Sequence, residues 1–332
     1  MATGAQRSVN YGFELTAAGA DNFGAGANLV NKAFGFATEC EPELDRSVQA
    51  RYGSGSRNYQ TTKAGRVMGS VSPSFDLADP WILESILGAH GAISGSTGSY
   101  ATTFSESDNP TTLEIDICQN LTSATYLLRK LYGVVIKKAS LSFESSSDMP
   151  IRLTMDCDYA NEVKSNPVSL TAQIAPQQAA PITFANCSVA TSSNGTDYTT
   201  IANLDRCELT IDNSAVLRHA AGSPIAARKK FGQRKYSIAL TNLLDADTDF
   251  LDKVYGSTTG PSAEPSAIPY LKVTFSAEVG GSIAFIFTNA VVAKHKATGN
   301  NADDELFEVV DILPKTCSIA VAGWDNTEPT RY

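Results

Sequence analysis

The three histidines, His90, His219 and His295, are the first candidates for acid–base or metal chemistry in this 332-residue chain. They stand far apart, and none belongs to an HExxH-type spacing, which sets two imidazoles on one helix face around a metal. Asp245-Ala-Asp247-Thr-Asp249 opens like a calcium loop. Its sixth position is Phe250, where the sharp turn needs Gly, and its twelfth is Gly256, where a bidentate Glu belongs. Carboxylates gathered at a helix start, against its dipole, are the ordinary alternative. Asp156 and Asp158 share one strand face and could form a carboxylate pair; a solvated strand face is the plainer reading. Nucleophile-elbow, Walker and GxGxxG patterns are missing. The six cysteines (40, 118, 157, 187, 207 and 317) contain no CxxC. Cys118, Cys157, Cys207 and Cys317 fall within alternating strands, where a thiol serves as a small buried hydrophobe. The sequence assigns no catalytic, cofactor-binding or metal-ligating residue, and no enzyme is expected.

Charge gives the sharper signal. Arg228-Lys229-Lys230, followed by Arg234 and Lys235, is the densest basic run, with a thinner counterpart in Arg57, Lys63 and Arg66. Such a run can be a solvated loop, a DNA contact, or a loop that docks on an acidic surface of another subunit, such as one around Asp303, Asp304 and Glu305. The net charge of −9 argues against DNA, because binding by counterion release needs a basic surface.

Both basic runs lie in a stretch that the chain contains twice. Asp45 to Gly88 is answered by Asp212 to Gly256. Asp45 pairs with Asp212, Arg51 with Arg218, Gly55 with Gly222, Lys63 with Lys230 and Gly65 with Gly232, each 167 positions apart (212 − 45). Cys40 and Cys207 keep that offset. A self-match that halves the chain reads as a tandem duplication. Each copy runs strand, polar loop, returning strand, short helix. Val67, Gly69, Val71, Pro73, Phe75 and Leu77 alternate in the first return, and Tyr236, Ile238, Leu240 and Leu244 in the second, the period of a half-buried strand. Asp79 and Asp247 are the expected N-caps, and Gly88 and Gly256 the stops. Ile82, Leu83, Ile86 and Leu87, and then Phe250, Leu251, Val254 and Tyr255, form apolar stripes that must pack on a sheet.

Further strands follow in both halves. Ile151, Leu153, Met155, Cys157 and Tyr159 give the cleanest alternation. Leu113, Ile115 and Ile117 answer Leu271, Val273 and Phe275 at an offset of 158, and Phe143-Glu144 answers Phe307-Glu308 at 164. Residues 90–110 read as a Gly/Ser/Thr-rich surface loop, and residues 1–35 as an N-terminal arm reaching toward a neighbour or a loosely ordered terminus. The proline-bearing segment 161–181 reads as a linker between a first domain, 1–160, and a second, 182–332. Nothing approaches the ~18 apolar residues of a membrane span, and the N-terminus has no apolar export signal, so neither membrane nor export is expected. The fold class is mainly β: two tandem sandwich or barrel domains, each with one short helix.

Asp212-Asn213, Gly222-Ser223 and Gly232-Gln233-Arg234 lead into the strand to Leu244, and Asp45, Gly55-Ser56 and Gly65-Arg66-Val67 echo them. With Leu131-Tyr132-Gly133-Val134-Val135, these residues resemble the tail tube proteins of long-tailed phages and related viruses. The resemblance implies rings with six domains around a pore, stacked into the conduit for genome delivery. A duplicated chain would then form trimeric, pseudo-hexameric rings, assembled in the host cytoplasm and carried in the virion tail. It also implies that the long inter-strand loops make the contacts between rings, which assigns Arg57, Lys63, Arg66, Arg228, Lys229, Lys230 and Arg234. The implied partners are further copies, other tail proteins at the tube ends, and DNA that passes without specific binding, with no cofactor. An acidic pore wall would repel phosphate and favour that passage. The rival structural reading is another virion β-protein, a capsid decoration or tail-tip component. A carbohydrate-binding module would need aromatic platforms, and the chain has only two tryptophans, Trp81 and Trp324.

Overall fold

The computed structural model describes residues 7–16, 20–55, 57–96, 98–122, 125–145, 149–167, 181–243, 249–277, 280–298 and 306–324. The chain is mainly β. Its earlier part holds β1 (Arg7–Phe13), β2 (Lys32–Ala33), β3 (Gly35–Glu39), β4 (Pro42–Tyr52), β5 (Tyr59–Val71) and β6 (Ser74–Leu77). Helix α1 (Leu83–Leu87), β7 (Gly88–His90), β8 (Tyr100–Glu106), β9 (Leu113–Thr122), β10 (Thr125–Glu144), β11 (Arg152–Tyr159) and β12 (Asn161–Ser165) follow. The later part holds β13 (Cys187–Ser192), β14 (Thr199–Thr200), β15 (Leu204–Asp212), β16 (Val216–His219), β17 (Ala226–Lys230) and β18 (Lys235–Leu243). It ends with helix α2 (Asp249–Tyr255), β19 (Ile268–Ser276), β20 (Ser282–Thr298), β21 (Phe307–Leu313) and β22 (Thr316–Trp324).

One long antiparallel sheet forms the middle of the molecule, in the order β4-β5-β11-β10-β15-β18-β21-β20. Two outer sheets cover one of its faces. The first is β2-β1-β9-β10-β12 and the second β14-β13-β19-β20-β22-β8-β7. Strands β10 and β20 are long because each serves two sheets: the first half of each lies in an outer sheet and the second half in the inner one. Each bends where it crosses, at Gly133 (φ 64°) and at Asn289 (φ 49°). Left-handed backbone is open to Gly at no cost and to Asn at little, so these two residue types suit the crossings.

Alternation fixes which face of the inner sheet meets the core. Leu153, Met155, Cys157 and Tyr159 of β11 are fully buried, as are Cys207, Leu209 and Ile211 of β15 and Ile238 and Leu240 of β18. Each such apolar side chain contributes about 1.5–3 kcal/mol on leaving water. The intervening residues, Thr154 and Asp156 among them, face solvent. Helix α1 buries its whole length, Leu83, Ile86 and Leu87 included, and Ile82 just before it is buried too.

Several expectations are corrected. Residues 7–13 are not a projecting arm; β1 pairs along its length with β9. The 90–110 segment contains β8, whose Phe104 is buried where β8 extends the second outer sheet beside β22. The start of the expected linker is β12, which pairs with β10 while Glu162 holds Arg129 at 2.6 Å; residues 168–180 lie outside the described residues. Asp79 does not cap α1. It accepts the Trp81 N–H (3.0 Å) in a turn before the helix, and its other carboxylate oxygen is held 2.9 Å from the buried Lys32 ammonium. Asp247 and Leu244 lie outside the described residues. Phe143-Glu144 ends β10 whereas Phe307-Glu308 begins β21, so their matched letters do not mark matched positions. The pairings Leu131↔Ile115 and Leu271↔Phe287 align Ile115 with Leu271, two positions from the alignment that the letters suggest.

Candidate assembly surfaces

The inner sheet consists of two runs in one order. β4-β5-β11-β10 comes from the earlier part and β15-β18-β21-β20 from the later part. They join where β10 pairs with β15: Lys138 faces Asp212, Ser140 faces Thr210, Ser142 faces Glu208 and Glu144 faces Arg206. β10 and β20 carry the same irregularity, between Ile136 and Lys138 and between Val292 and Lys294, which relates them by 156 positions (294 − 138). Among the described residues the outer edges of this sheet, β4 at one end and the second half of β20 at the other, pair with nothing further. An open edge of this length is a template for another strand. Exposure marks the same place. Leu44 on β4 is 47% exposed, whereas Ile211, its counterpart 167 positions on, is 2% exposed beside β10.

The basic loops are hairpins at one end of this sheet. In the first copy β4 and β5 run on as one continuous ladder from Pro42↔Val71 to Tyr52↔Tyr59, with irregularities between Arg46 and Val48 and between Arg51 and Tyr52. In the second the strands leave the sheet. Asp212 Oδ1 accepts the Ser214 N–H (2.7 Å), Ser214 turns left-handed (φ 46°), and a separate ribbon of β16 and β17 forms. That ribbon folds back on the earlier part of its own chain. The Pro224 carbonyl accepts the Val67 N–H (2.8 Å), and His219 Nε2 donates to the Val67 carbonyl (2.9 Å). At its base the buried Asn213 amide donates to the carbonyls of Ile86 (2.9 Å) and Ile136 (3.3 Å), and its oxygen accepts from Arg234 Nε (2.7 Å).

The seven basic residues singled out in the sequence therefore divide. Arg57, Lys63, Arg66, Arg228 and Lys230 are exposed. Lys229 is not: its ammonium donates to Asp21 (2.8 Å) and to the Pro110 carbonyl (2.6 Å). Burial pulls its pKa below the ordinary value, opposed by the charges of Asp21 and Glu14. Arg234 is spent on Asn213 and the Ser107 carbonyl (2.9 Å). Both close a joint inside the chain, which the spacing of the basic run could not disclose. Asp303, Asp304 and Glu305 lie outside the described residues. At the sheet end opposite the hairpins, Glu39, Glu41 and Glu144 are exposed and Asp205 half-exposed.

On the solvent face of the inner sheet Lys137, Arg152, Arg206 and Lys294 are each paired with a carboxylate. Lys137 lies 3.2 Å from Asp156 and 2.8 Å from Asp158. Arg152 pairs with Glu39 and Asp76, Arg206 with Glu208, and Lys294 with Asp311. Asp156 and Asp158 thus serve as a clamp for one ammonium. Among the described residues no three His, Cys, Asp or Glu side chains converge as metal ligands, and no helix is long and apolar enough to cross a membrane.

A mainly β subunit with two open, matched sheet edges and a charged ribbon at one end belongs to the class of self-assembling structural proteins. The sequence model of the family described as "Phage tail tube protein" matches residues 4–309, nearly the whole chain, and the chain belongs to that family. Its place is the virion tail. No curated protein matches it.

Proposed function

We propose that the chain is a structural, non-enzymatic tail tube subunit, and that three copies close a ring through their open sheet edges. The reading treats the chain as two equivalent building blocks, 1–160 and 182–332, so that a trimer has pseudo-sixfold symmetry. The carrying observation is the matched pair of edges. Applying the β10–β15 register to β20 and to β4 of the next copy, with the offsets of 156 and 167, sets Lys294 opposite Asp45 and Lys296 opposite Glu43. Opposite charges directly across antiparallel strands favour the pairing. A head-to-tail contact of this kind closes when its rotation closes, and closed rings stack.

Stacking into the genome-delivery conduit is supported by the charge polarity along the sheet. Exposed Arg57, Lys63, Arg66, Arg228 and Lys230 at one end would meet Glu39, Glu41, Glu144 and Asp205 at the other end of the next ring. This face of the inner sheet would line the pore, and DNA would pass without adhering because Lys137, Arg152, Arg206 and Lys294 are already paired with carboxylates that outnumber them. Other tail proteins would close the tube ends, after assembly in the host cytoplasm. Electron microscopy of the purified protein tests the reading: hollow threefold rings and stacked tubes are expected. K294E/K296E should abolish them, and adding D45K/E43K to the same chain, which reverses both sides of every seam, should restore them. Discrete trimers that never stack, or unchanged tubes from K294E/K296E, would overturn it.

A further inference from the structure

Resting on that ring, we infer that the β4–β5 ribbon of one copy lies across the later part of the next copy, by the geometry with which β16–β17 lies across the earlier part of its own chain. The ribbon is two-faced. Val48, Ala50 and Tyr52 alternate along β4 and pair with Ala64, Thr62 and Tyr59, making one apolar face. Gln49 and Arg51, opposite Lys63 and Thr61, make the other face polar. The apolar face is bare in the single chain: Val48 is 59% exposed, Tyr52 66% and Tyr59 60%. Its counterparts in the second ribbon are covered, Ala215 at 4% and Ala226 at 6%. A contiguous apolar face continuous with an open strand edge marks an interface.

The second ribbon supplies the template for what covers it. Its tip grips the backbone of Val67 through the Pro224 carbonyl and the His219 imidazole. Moving back 167 positions turns Pro224 into Arg57 and His219 into Tyr52, and moving forward turns Val67 into Arg234. The neighbour's Arg234 N–H then donates to the Arg57 carbonyl, and the Tyr52 hydroxyl donates to the Arg234 carbonyl. The occupant is a second copy of this chain because the same chain already holds such a ribbon on its other building block. Val48 and Tyr59 stand on the free ribbon where the covered one has Ala215 and Ala226, and side chains of this kind suit a contact that forms from solution by apolar burial.

Two variants of the full chain test this. V48D/Y59D changes only side chains exposed in the single chain. It should keep the wild-type far-UV circular dichroism and melting temperature while the fraction in rings falls at least tenfold. R57C/Q233C, oxidised after assembly, should give a disulfide-linked ladder that stops at three chains and collapses on reduction. Wild-type-like assembly of V48D/Y59D, or assembled R57C/Q233C tubes that stay single chains on a non-reducing gel, would overturn the inference while leaving the ring intact. A wild-type chain that forms no rings would overturn both.

Discussion

The two ribbons are formed by stretches that share Asp, Ser, Arg, Gly and Lys at matched places, yet they fold differently. The second bends at Ser214 and is fastened by Asn213, Arg234 and Lys229 to the earlier part of the chain. The first continues as a single β4–β5 ladder and presents Val48, Tyr52 and Tyr59 to solvent. At the joint Asn213 is replaced by Arg46, and Arg234 by Val67. On the proposed ring, the difference follows from when each joint forms. A joint within one chain forms during folding and stays shut, so it can hold a buried amide whose every bond is met, which rewards exact geometry. A joint between chains is assembled from separate molecules, and apolar burial tolerates an imperfect approach.

That comparison breaks first at the sheet edge. Ile211→Ala removes a side chain buried between the two runs and should cost about 2–5 kcal/mol in urea unfolding of the single chain. Leu44→Ala, at the matching exposed position, should cost under about 0.5 kcal/mol and should instead weaken ring formation. Equal costs for the two would mean that the single chain already buries Leu44. Asn213→Ala comes next. It strands the Ile86 and Ile136 carbonyls and the Arg234 guanidinium in a buried joint, for which about 1–3 kcal/mol is expected. Arg46→Ala should stay within about 0.5 kcal/mol in the same measurement.

How much of this the sequence disclosed depends on the distance over which each feature is determined. The alternation of Ile151 to Tyr159 was legible because a strand with one face on a core writes its environment into every second residue. β8 was not, since Tyr100–Glu106 (YATTFSE) offers one large apolar residue on its buried face, Phe104, and its partner β22 lies over two hundred residues away. The bend of the second ribbon was hidden for another reason: Asp45-Arg46-Ser47 and Asp212-Asn213-Ser214 look alike, and only the contacts made by Asn213 separate them. Asp79 looked like a helix cap because nothing near it in sequence announces Lys32 as its partner. The basic run was found by composition, but which of its members are free was settled by Asp21 and Ser107, both distant in the chain.

The smallest expected effect separates the outer sheets. In the first, Asp116 of β9 stands beside Glu114 and Lys130, and burial pushes its carboxyl up to about 7, with Glu114 raising it further and Lys130 opposing. The matching place in the second outer sheet, 156 positions on, is Lys272, whose ammonium lies 3.9 Å from the ring centre of Tyr198. A carboxyl whose folded pKa is raised holds its proton more tightly folded than unfolded. Its contribution to stability is therefore complete below the ordinary carboxylate value near 3.8 and is lost as pH rises through about 7. Asp116→Asn keeps the neutral form at every pH. The variant should match the wild type near pH 4 and exceed it at pH 8 by on the order of 1 kcal/mol, the proton being shared with Glu114 and Lys130. Lys272→Met in the second sheet should show no such step across that window. Parallel pH profiles of wild type and D116N would show that the two outer sheets titrate alike.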